Sequence, residues 1–375
     1  MRVLHVCSYF GDRFYRELMR AERAAGIDLD VFYFAQNGSA PLPVEDADYL
    51  RQAFCYNRLD RISYFGKQEK ALRALKKTYA GERFDLLHAH SLFSNGYLCR
   101  RLKKKLGLPY VVAVRSGDVN QFFARVPLLR GVGAAILREA DGVVFLSEKY
   151  RDLVLGKYVP AKWREEIRQK CAVVPNGIAR VFLENPGAPK EYAPEDRRLR
   201  LITVAFVNDL KNQRTVCRAA GLLETRGYQV RYRVIGRKED EGYAEEVLRD
   251  PRVEYSGAMP QEQLIGEYRA ADVFVMPSHK ETFGLTYVES MSQGVPVIYS
   301  RGQGFDGQFP EGEVGFAVEP DSAEEIADAV ERILKDYKRM SENAVNGSAR
   351  FEWSAIAARY RDLYAALIKG QGREI

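Results

Sequence analysis

Two carboxylates, Glu281 and Glu289, lie in one stretch whose residue types suit the binding of a hydroxyl-rich ligand. They are eight positions apart, and a helix advancing roughly 100° per residue would place them two turns plus about 80° apart, on one broad face. A carboxylate offers only acceptors, and its charge-assisted hydrogen bonds are roughly twice as strong as neutral ones. The spacing alone leaves open a second interpretation, in which both are solvated surface glutamates.

The residues around this pair predict a strand, a loop and a helix. Val273 to Met276 is continuously apolar, which is typical of a strand buried on both faces of a parallel sheet. A helical pattern runs from Phe283 to Gly294, and a further strand is expected over Val295 to Ile298. Ligands of open α/β sheets bind outside the carboxyl ends of strands, where the free N–H groups of a helix also favour anions. The loop that carries Glu281 is therefore a candidate anion site.

The segment ETFGLTYVES, followed by QGVPVI, strongly resembles the Glu-x7-Glu signature of family 4 of the glycosyltransferases. These are retaining enzymes with the GT-B fold, in which two Rossmann-like domains face a cleft. The resemblance implies that Glu281 contacts sugar hydroxyls of the donor and that Glu289 accepts hydrogen bonds from the ribose. It also implies that the backbone of Phe283, Gly284 and Leu285 lies over the donor's diphosphate and sugar.

A second loop, NDLKNQR, follows the strand pattern LRLITVAFV and resembles the family segment that neutralises the diphosphate with Arg and Lys. Lys211 fits the lysine, whereas Asn208 stands where the arginine is usual. That change removes a charge-assisted contact of roughly 1.5 to 3 kcal/mol, unless Arg115 or Arg214 supplies it. We predict Lys211 and Glu281 as the catalytic residues and Asn208 as a donor contact; an ordinary surface lysine is the alternative at position 211.

Polar residues also end the predicted strands of the first half. FDLLHAHS places His88 and His90 on one side of a strand, and VVAVRSGDVN ends with Arg115 and Asp118. Zinc could use such a histidine pair, but no third ligand cluster is visible. In the resemblance, His90, Arg115 and Asp118 are substrate-binding residues that face the cleft, with Arg115 standing where many relatives have His. Gly11 in the first loop is a further substrate contact, where the family often shows a glycine pair.

Asp28 and Asp30 open the strand pattern DLDVFYFA and look like the metal-binding DxD pair of other sugar transferases. An ordinary strand start is the reading that we favour. We therefore expect no metal and no cofactor, with a nucleotide-diphosphate sugar, and among these a UDP-sugar, as donor substrate.

Alternating strand and helix patterns along the whole chain predict an α/β protein with doubly wound parallel sheets. Residues 184–198 are rich in proline and charge, which indicates an interdomain linker. We predict an N-terminal Rossmann-like, acceptor-side domain over residues 1–182, a linker over 183–199 and a nucleotide-sugar-binding domain over 200–352. From the resemblance, we expect the last helix, about 353–375, to pack back on the first domain.

The composition suits a soluble globular protein, since 46% of the 375 residues are hydrophobic and 29% are charged. No apolar run approaches the ~20 residues of a membrane span, and Met1 leads directly into a strand pattern, so we expect a cytoplasmic protein. The five cysteines show no CxxC spacing, which argues against a disulfide framework and predicts mostly buried free thiols.

The net charge of +6 hides an asymmetry between the halves of the chain. Residues 1–182 carry 31 Lys and Arg against 19 Asp and Glu, whereas residues 183–375 carry 26 against 32. Basic clusters lie at Arg58 to Lys77 and Arg100 to Lys105. They are typical of solvated helix faces; the alternatives are a negatively charged acceptor or peripheral contact with the anionic inner face of a membrane. No module for nucleic acid accompanies this charge.

The sequence therefore predicts a retaining glycosyltransferase that moves a sugar from a nucleotide-diphosphate sugar to a carbohydrate or lipid-linked acceptor, in the synthesis of a cell-surface polysaccharide or glycoconjugate. Two hypotheses compete with it. Nucleotide-sugar 2-epimerases share the two-domain architecture, and a catalytically silent donor-binding subunit would be consistent with Asn208.

Overall fold

The computed structural model describes residues 1–43, 48–193, 195 and 197–371. The chain packs as two compact units, and the first of them is discontinuous in sequence. Unit 1 comprises Met1–Pro175 together with the C-terminal helix, and unit 2 comprises Asn176–Glu352. Each unit contains its own parallel sheet.

Unit 1 is built on seven parallel strands, most of them buried. They are β1 (Arg2–Val6), β2 (Asp28–Gln36), β3 (Leu50–Tyr56), β4 (Leu86–Ala89), β5 (Tyr110–Ala113), β6 (Gly142–Phe145) and β7 (Cys171–Val173). Their order across the sheet is β3-β2-β1-β4-β5-β6-β7. The connecting helices are α1 (Arg13–Ala24), α2 (Tyr64–Thr78), α3 (Gly96–Leu106), α4 (Arg130–Glu139), α5 (Glu148–Tyr158) and α6 (Ala161–Arg168).

Unit 2 repeats this plan with six parallel strands. They are β8 (Arg198–Val204), β9 (Gln229–Ile235), β10 (Val253–Ser256), β11 (Val273–Met276), β12 (Val297–Ser300) and β13 (Gly315–Val318), in the order β10-β9-β8-β11-β12-β13. Its helices are α7 (Arg180–Glu184), α8 (Gln213–Thr225), α9 (Glu241–Leu248), α10 (Gln261–Ala270), α11 (Leu285–Ser292), α12 (Ala323–Lys335) and α13 (Tyr337–Ser348). The final helix, α14 (Trp353–Gln371), belongs to unit 1.

Each sheet contains one point at which the strand order reverses. In unit 1 it lies between β1 and β4, and in unit 2 it lies between β8 and β11. At such a point the loops that leave the two neighbouring strands diverge, and the crevice between them is where open α/β sheets bind ligands. The two parallel sheets confirm the predicted α/β class and place the loops that carry Lys211, Glu281 and His90 at these reversals, with the Arg115 loop on the next strand, β5.

The predicted buried strand over Val273 to Met276 is present at those residues. The helix that follows begins at Leu285, two residues later than predicted. The reason is Gly284, whose φ of +82° is left-handed and therefore outside the helix. Because Glu281 lies in the loop and Glu289 in the helix, the helical spacing expected between them does not apply.

The structure divides the chain after Pro175, whereas the sequence suggested a boundary at residue 182. The proline-rich segment taken as a linker belongs to unit 2 because its backbone is bonded there. Gly187 N donates to Ser292 O at 2.8 Å, and Lys190 N donates to Ser341 Oγ at 2.8 Å. The Lys190 ammonium also donates to Ala271 O at 2.6 Å, beyond the end of α10.

Helix α14 completes the core of unit 1 by packing against α1. Ile356, Tyr360 and Tyr364 are buried, and the Trp353 ring meets Phe14 with a centroid separation of 5.1 Å. The last helical segment of the chain is therefore part of the same core as its first strand.

None of the helices that the structure describes is both long and apolar enough to cross a membrane. All five cysteines are free thiols, and Cys7, Cys99 and Cys217 are buried, as the sequence predicted.

If α14 belongs to unit 1, truncating a buried isoleucine of α14 should destabilise unit 1, and truncating one of α12 should destabilise unit 2. Ile356→Ala and Ile333→Ala each remove a buried side chain, at 1% and 0% exposure, which costs about 2 to 5 kcal/mol of unfolding free energy. Hydrogen exchange should show lost amide protection in β1 to β7 for Ile356→Ala, and in β8 to β13 for the matched Ile333→Ala. Loss of protection in unit 2 for Ile356→Ala would contradict the assignment of α14 to unit 1.

Candidate functional site

Two loops meet at the strand reversal of unit 2. One follows β8 and the other follows β11, and the two strands are hydrogen-bonded neighbours. Between the loops, His279 N donates to Leu210 O at 2.9 Å. The Asn212 side chain donates to Pro277 O at 3.2 Å. The loops are therefore fixed to each other on both sides of Lys211.

Asn212 was not singled out in the sequence, yet it shapes this junction. Its φ of 59° is left-handed, a conformation that asparagine tolerates better than most residues. Its Nδ2 donates also to Pro320 O at 2.7 Å, and its Oδ1 accepts from Thr215 Oγ1 at 2.8 Å. Asn212 is the residue before α8, and asparagine is among the residues preferred at that position, which was the available signal.

The two residues predicted to be catalytic are in direct contact. Lys211 Nζ lies 2.6 Å from Glu281 Oε2, and the side chains are 20% and 12% exposed. The other carboxylate oxygen of Glu281 accepts from the backbone N–H of Thr282 at 3.0 Å and of Phe283 at 3.4 Å. A lysine ammonium has three donors, so one bond to Glu281 leaves it able to hold an anionic oxygen as well.

Asn208, which stands where the resemblance expects an arginine, is used inside the protein. Its Oδ1 accepts from Lys211 N at 2.9 Å, and its Nδ2 donates to Glu239. Asn208 therefore positions the lysine loop. Arg214, one of the two arginines considered as a replacement cation, has its Nε 2.8 Å from Glu246 and its guanidinium over the Tyr243 ring.

Glu289 projects from α11 and is 7% exposed. Its carboxylate accepts from Tyr268 Oη at 3.0 Å, a partner that sequence reasoning missed. Burial raises the pKa of Glu289 to about 7, against the opposing effect of the Tyr268 hydrogen bond. Both protonation states of this carboxyl are consequently accessible near neutral pH.

The loop after β12 holds Glu281 by its backbone. Gln303 Oε1 accepts from Glu281 N at 2.9 Å, and Gly304 N donates to Glu281 O at 2.9 Å. A Cβ added at Gly304 would lie 1.8 Å from Thr282 O, so only glycine permits this approach. Sequence reasoning missed both residues; their position directly after a predicted strand, at the same sheet edge, was the signal.

Gly284 and Leu285 set the start of α11. A Cβ at Gly284 would lie 2.4 Å from the Tyr287 ring, and the left-handed backbone there turns the chain into the helix. The unpaired N–H groups of a helix's first turn carry a partial positive charge. Lys211 is linked to the loop before this turn by its ion pair with Glu281, so positive charge from both sources would favour an anion here. The Phe283 side chain is buried in the core at 2% exposure.

Asp118 in unit 1 ties the loops after β4 and β5 together. Its carboxylate accepts from the backbone N–H of Leu92 and Arg115, both at 2.9 Å, and of Phe93 at 3.0 Å. Burial raises the pKa of Asp118 to about 6, although these amides oppose the shift. With its oxygens occupied by backbone groups, Asp118 acts as a positioning residue.

Arg115 and Gly11 lie in loops at this same sheet edge. The Arg115 guanidinium lies over the rings of Phe14 and Tyr15, at 5.5 and 5.9 Å, and its Nε is 3.4 Å from His90 O. Gly11 is exposed in the turn between β1 and α1. The structure thus gathers His90, Arg115 and Asp118 around the end of β4, whereas a Cβ at Gly11 would meet Leu42, in the segment after β2.

The His90 ring is fully buried, with its Nε2 2.9 Å from Nδ1 of His5 on the neighbouring strand. Burial lowers the pKa of both rings, that of His5 to about 3. Asp28 and Asp30 lie at the start of β2, where Asp30 forms an ion pair with Arg2 at 2.6 Å. That pairing agrees with the reading of the DxD pair as an ordinary strand start.

The chain matches two protein families along most of its length. Residues 12–177 match the family described as "Glycosyl transferase 4-like domain", and residues 187–347 match "Glycosyl transferases group 1". Among curated proteins, D-inositol 3-phosphate glycosyltransferase of Thermobispora bispora is 28% identical over 400 residues, covering 95% of this chain and 90% of that protein.

Solved structures share the fold. Sucrose-phosphate synthase from Thermosynechococcus elongatus superposes with a TM-score of 0.76 at 22% identity, covering 99% of this chain and 100% of that chain. HepE of Anabaena, solved in complex with UDP-glucose, gives a TM-score of 0.67 at 17% identity, covering 98% of this chain and 100% of that chain. The family matches together show a chain with a glycosyl transferase 4-like domain over residues 12–177 and a group 1 glycosyl transferase domain over residues 187–347. The chain is therefore a glycosyltransferase, and its fold is of the GT-B class.

Proposed function

We propose that this protein is a retaining enzyme that transfers a sugar from a nucleotide-diphosphate sugar, with UDP as the nucleotide, to an acceptor hydroxyl. The acceptor would be a carbohydrate or a lipid-linked sugar of a cell-surface polysaccharide or glycoconjugate. The observation that carries the proposal is the ion pair between Lys211 and Glu281 at the strand reversal of unit 2. The UDP-glucose named for HepE supports UDP as the nucleotide.

In the proposed reaction, departure of the leaving group places negative charge on the distal phosphate. Lys211 and the first turn of α11 would stabilise this charge as it develops, because donors fixed before the reaction need no reorganisation. With Lys211 and the first turn of α11 stabilising the charge, the proposed reaction needs no metal ion at the donor site. Glu281 would orient Lys211 and accept hydrogen bonds from sugar hydroxyls, and Glu289 would accept from the ribose.

The epimerase alternative needs acid and base groups that can reach a sugar in unit 1. The histidines of that unit at β1 and β4 are fully buried, and so is Glu22 beside them. Their burial favours the transferase.

Lys211→Ala tests the proposed charge stabilisation. It should lower kcat by about 10² to 10³ while weakening donor binding less, since the interaction grows as the diphosphate departs. Glu281→Gln should impair transfer and leave UDP binding nearly intact, because Lys211 remains available to the phosphates. Kinetics and calorimetry would measure both, with Lys280→Ala, an exposed neighbouring lysine, as the matched control. Full turnover by Lys211→Ala would remove it from the mechanism.

Glu289 makes donor binding depend on pH. If the ribose hydroxyls donate to the ionised carboxylate, affinity should rise as the pH passes the pKa of about 7. UDP-glucose, whose phosphates do not titrate in this range, should bind about tenfold more tightly near pH 8 than near pH 6. Glu289→Gln should flatten this dependence in calorimetric titrations. An unchanged slope in the variant would assign the titration to another group.

Of the two basic clusters of unit 1, Arg58 to Lys77 and Arg100 to Lys105, only the first has features that would suit contact with a membrane. In the Arg100 to Lys105 cluster, Arg100, Arg101 and Lys103 are paired with acidic side chains at 2.5 to 2.7 Å. Near the start of α2, by contrast, apolar side chains are exposed beside basic ones. Leu59, Ile62 and Phe65 are 78%, 86% and 50% exposed. We propose that this apolar and basic surface meets anionic lipid.

Sedimentation with vesicles tests this surface. Binding to phosphatidylserine should fall steeply with salt, since each Lys or Arg near the surface contributes on the order of 1 kcal/mol and is screened within about a Debye length. Ile62→Ser with Leu59→Ser should weaken it further. Leu153→Ser, which changes an exposed leucine of α5, is the control. Equal binding to neutral vesicles would exclude charge as the cause.

A further inference from the structure

Three of the four histidines of the chain lie together in the core of unit 1. His5 is on β1 and His88 and His90 are on β4, and His5 is the register partner of His88. All three are fully buried. One ring nitrogen from each lies within 4.8 Å of those of the other two. The third ligand that was not visible beside the HAH segment is thus supplied by the adjacent strand.

The outer nitrogens of two of these rings face oxygen atoms of helices. His5 Nε2 lies 3.2 Å from Glu22 Oε2 on α1. His88 Nδ1 lies 2.6 Å from Tyr364 Oη on α14, and that hydroxyl donates to Glu22 Oε1 at 3.0 Å. Histidine ligands of metals characteristically present their second nitrogen to a carboxylate or a similar acceptor, which fixes the tautomer.

One pair of inner nitrogens already has the spacing of two ligands of one ion, and the third lies nearby. His5 Nδ1 and His90 Nε2 are 2.9 Å apart, close to the separation of about 2.9 to 3.4 Å that two nitrogens have when each is about 2.0 to 2.1 Å from one metal ion. His88 Nε2 has no hydrogen-bond partner among the described residues. A hydrogen bond between His5 and His90 accounts for that pair alone and leaves the His88 nitrogen unexplained.

We propose that His5, His88 and His90 bind one transition-metal ion of the class that prefers imidazole, with zinc as the reference ion. Tyr364 orients His88 through the contact with its Nδ1, and Glu22 lies beside His5, where its carboxyl would supply compensating negative charge once the ion is bound. The ion is structural, because its ligands are buried and lie in unit 1, whereas the proposed donor site is in unit 2. It would join β1, β4, α1 and α14.

Metal content after refolding tests the proposal. The protein, carrying no polyhistidine tag, is refolded from denaturant either with excess Zn²⁺ or with a chelator, and then gel-filtered. Mass spectrometry should find about one zinc per chain in the first sample, the stoichiometry of a single three-histidine site. That sample should also unfold at a higher temperature, and Co²⁺ should give the visible absorption of a low-symmetry site.

Variants assign the ligands. His88→Gln should abolish stoichiometric zinc binding. His279→Gln, which changes the one histidine outside the cluster and lies in unit 2, should leave it unchanged. Glu22→Gln should retain the ion with an affinity about 10- to 100-fold lower. Circular dichroism establishes that each variant is folded; if His88→Gln is not, the wild-type metal content decides alone. Substoichiometric zinc in refolded wild type, or zinc retained by folded His88→Gln, would show that the histidines form only a hydrogen-bonded network.

Discussion

A parallel sheet brings the carboxyl ends of all its strands to one edge, and the reversal of strand order beside β8 leaves a crevice there. This constraint explains why Lys211 and Glu281, 70 residues apart, can form an ion pair of 2.6 Å. The neighbouring loop after β12 reaches the same edge and holds the backbone of Glu281. The loop after β8 supplies the cation, the loop after β11 supplies the carboxylate, and the loop after β12 fixes the backbone of that glutamate.

The surroundings of the ion pair explain how it keeps one geometry. A lysine side chain loses much rotamer freedom when it is fixed, and exposed ion pairs contribute little for that reason. Here both partners are mostly buried and are held by backbone hydrogen bonds: Asn208 orders the lysine loop, and Gln303 orders the glutamate loop. Preorganisation of this kind is what electrostatic catalysis requires, because the polar groups are ordered during folding and not during the reaction.

Local patterns predicted the parts of this site that depend on local physics. The continuously apolar run at Val273 to Met276 identified a buried strand. The resemblance singled out Lys211 and Glu281, which the structure places in contact, and their catalytic role stays a prediction. The start of α11 was placed two residues early because the left-handed backbone of Gly284 is not visible in hydrophobic periodicity.

Features that depend on distant partners were missed. Gly304 matters because of its close approach to Thr282, and Tyr268 matters because it donates to the carboxylate of Glu289. The domain boundary differs because the proline-rich segment bonds to residues about a hundred positions later. The proximity of His5 to His88 and His90 likewise depends on β1 lying beside β4. Residue spacing within one segment cannot predict these contacts, because they depend on which strands become neighbours in the sheet.

The discontinuity of unit 1 also has a consequence during translation. When the ribosome has finished β7, the sheet of unit 1 is complete, but α14 is still separated from it by residues 176–352. At about 5 to 20 residues per second, that interval lasts roughly 10 to 35 s. During this interval, the face that Tyr360 and Tyr364 will cover remains exposed. Glu22, which is buried in the complete fold and accepts a hydrogen bond from Tyr364, is exposed with it. The nascent chain therefore presents an unfinished apolar face for longer than a contiguous domain of the same size would, and its N-terminal unit is completed only after its second unit has been made.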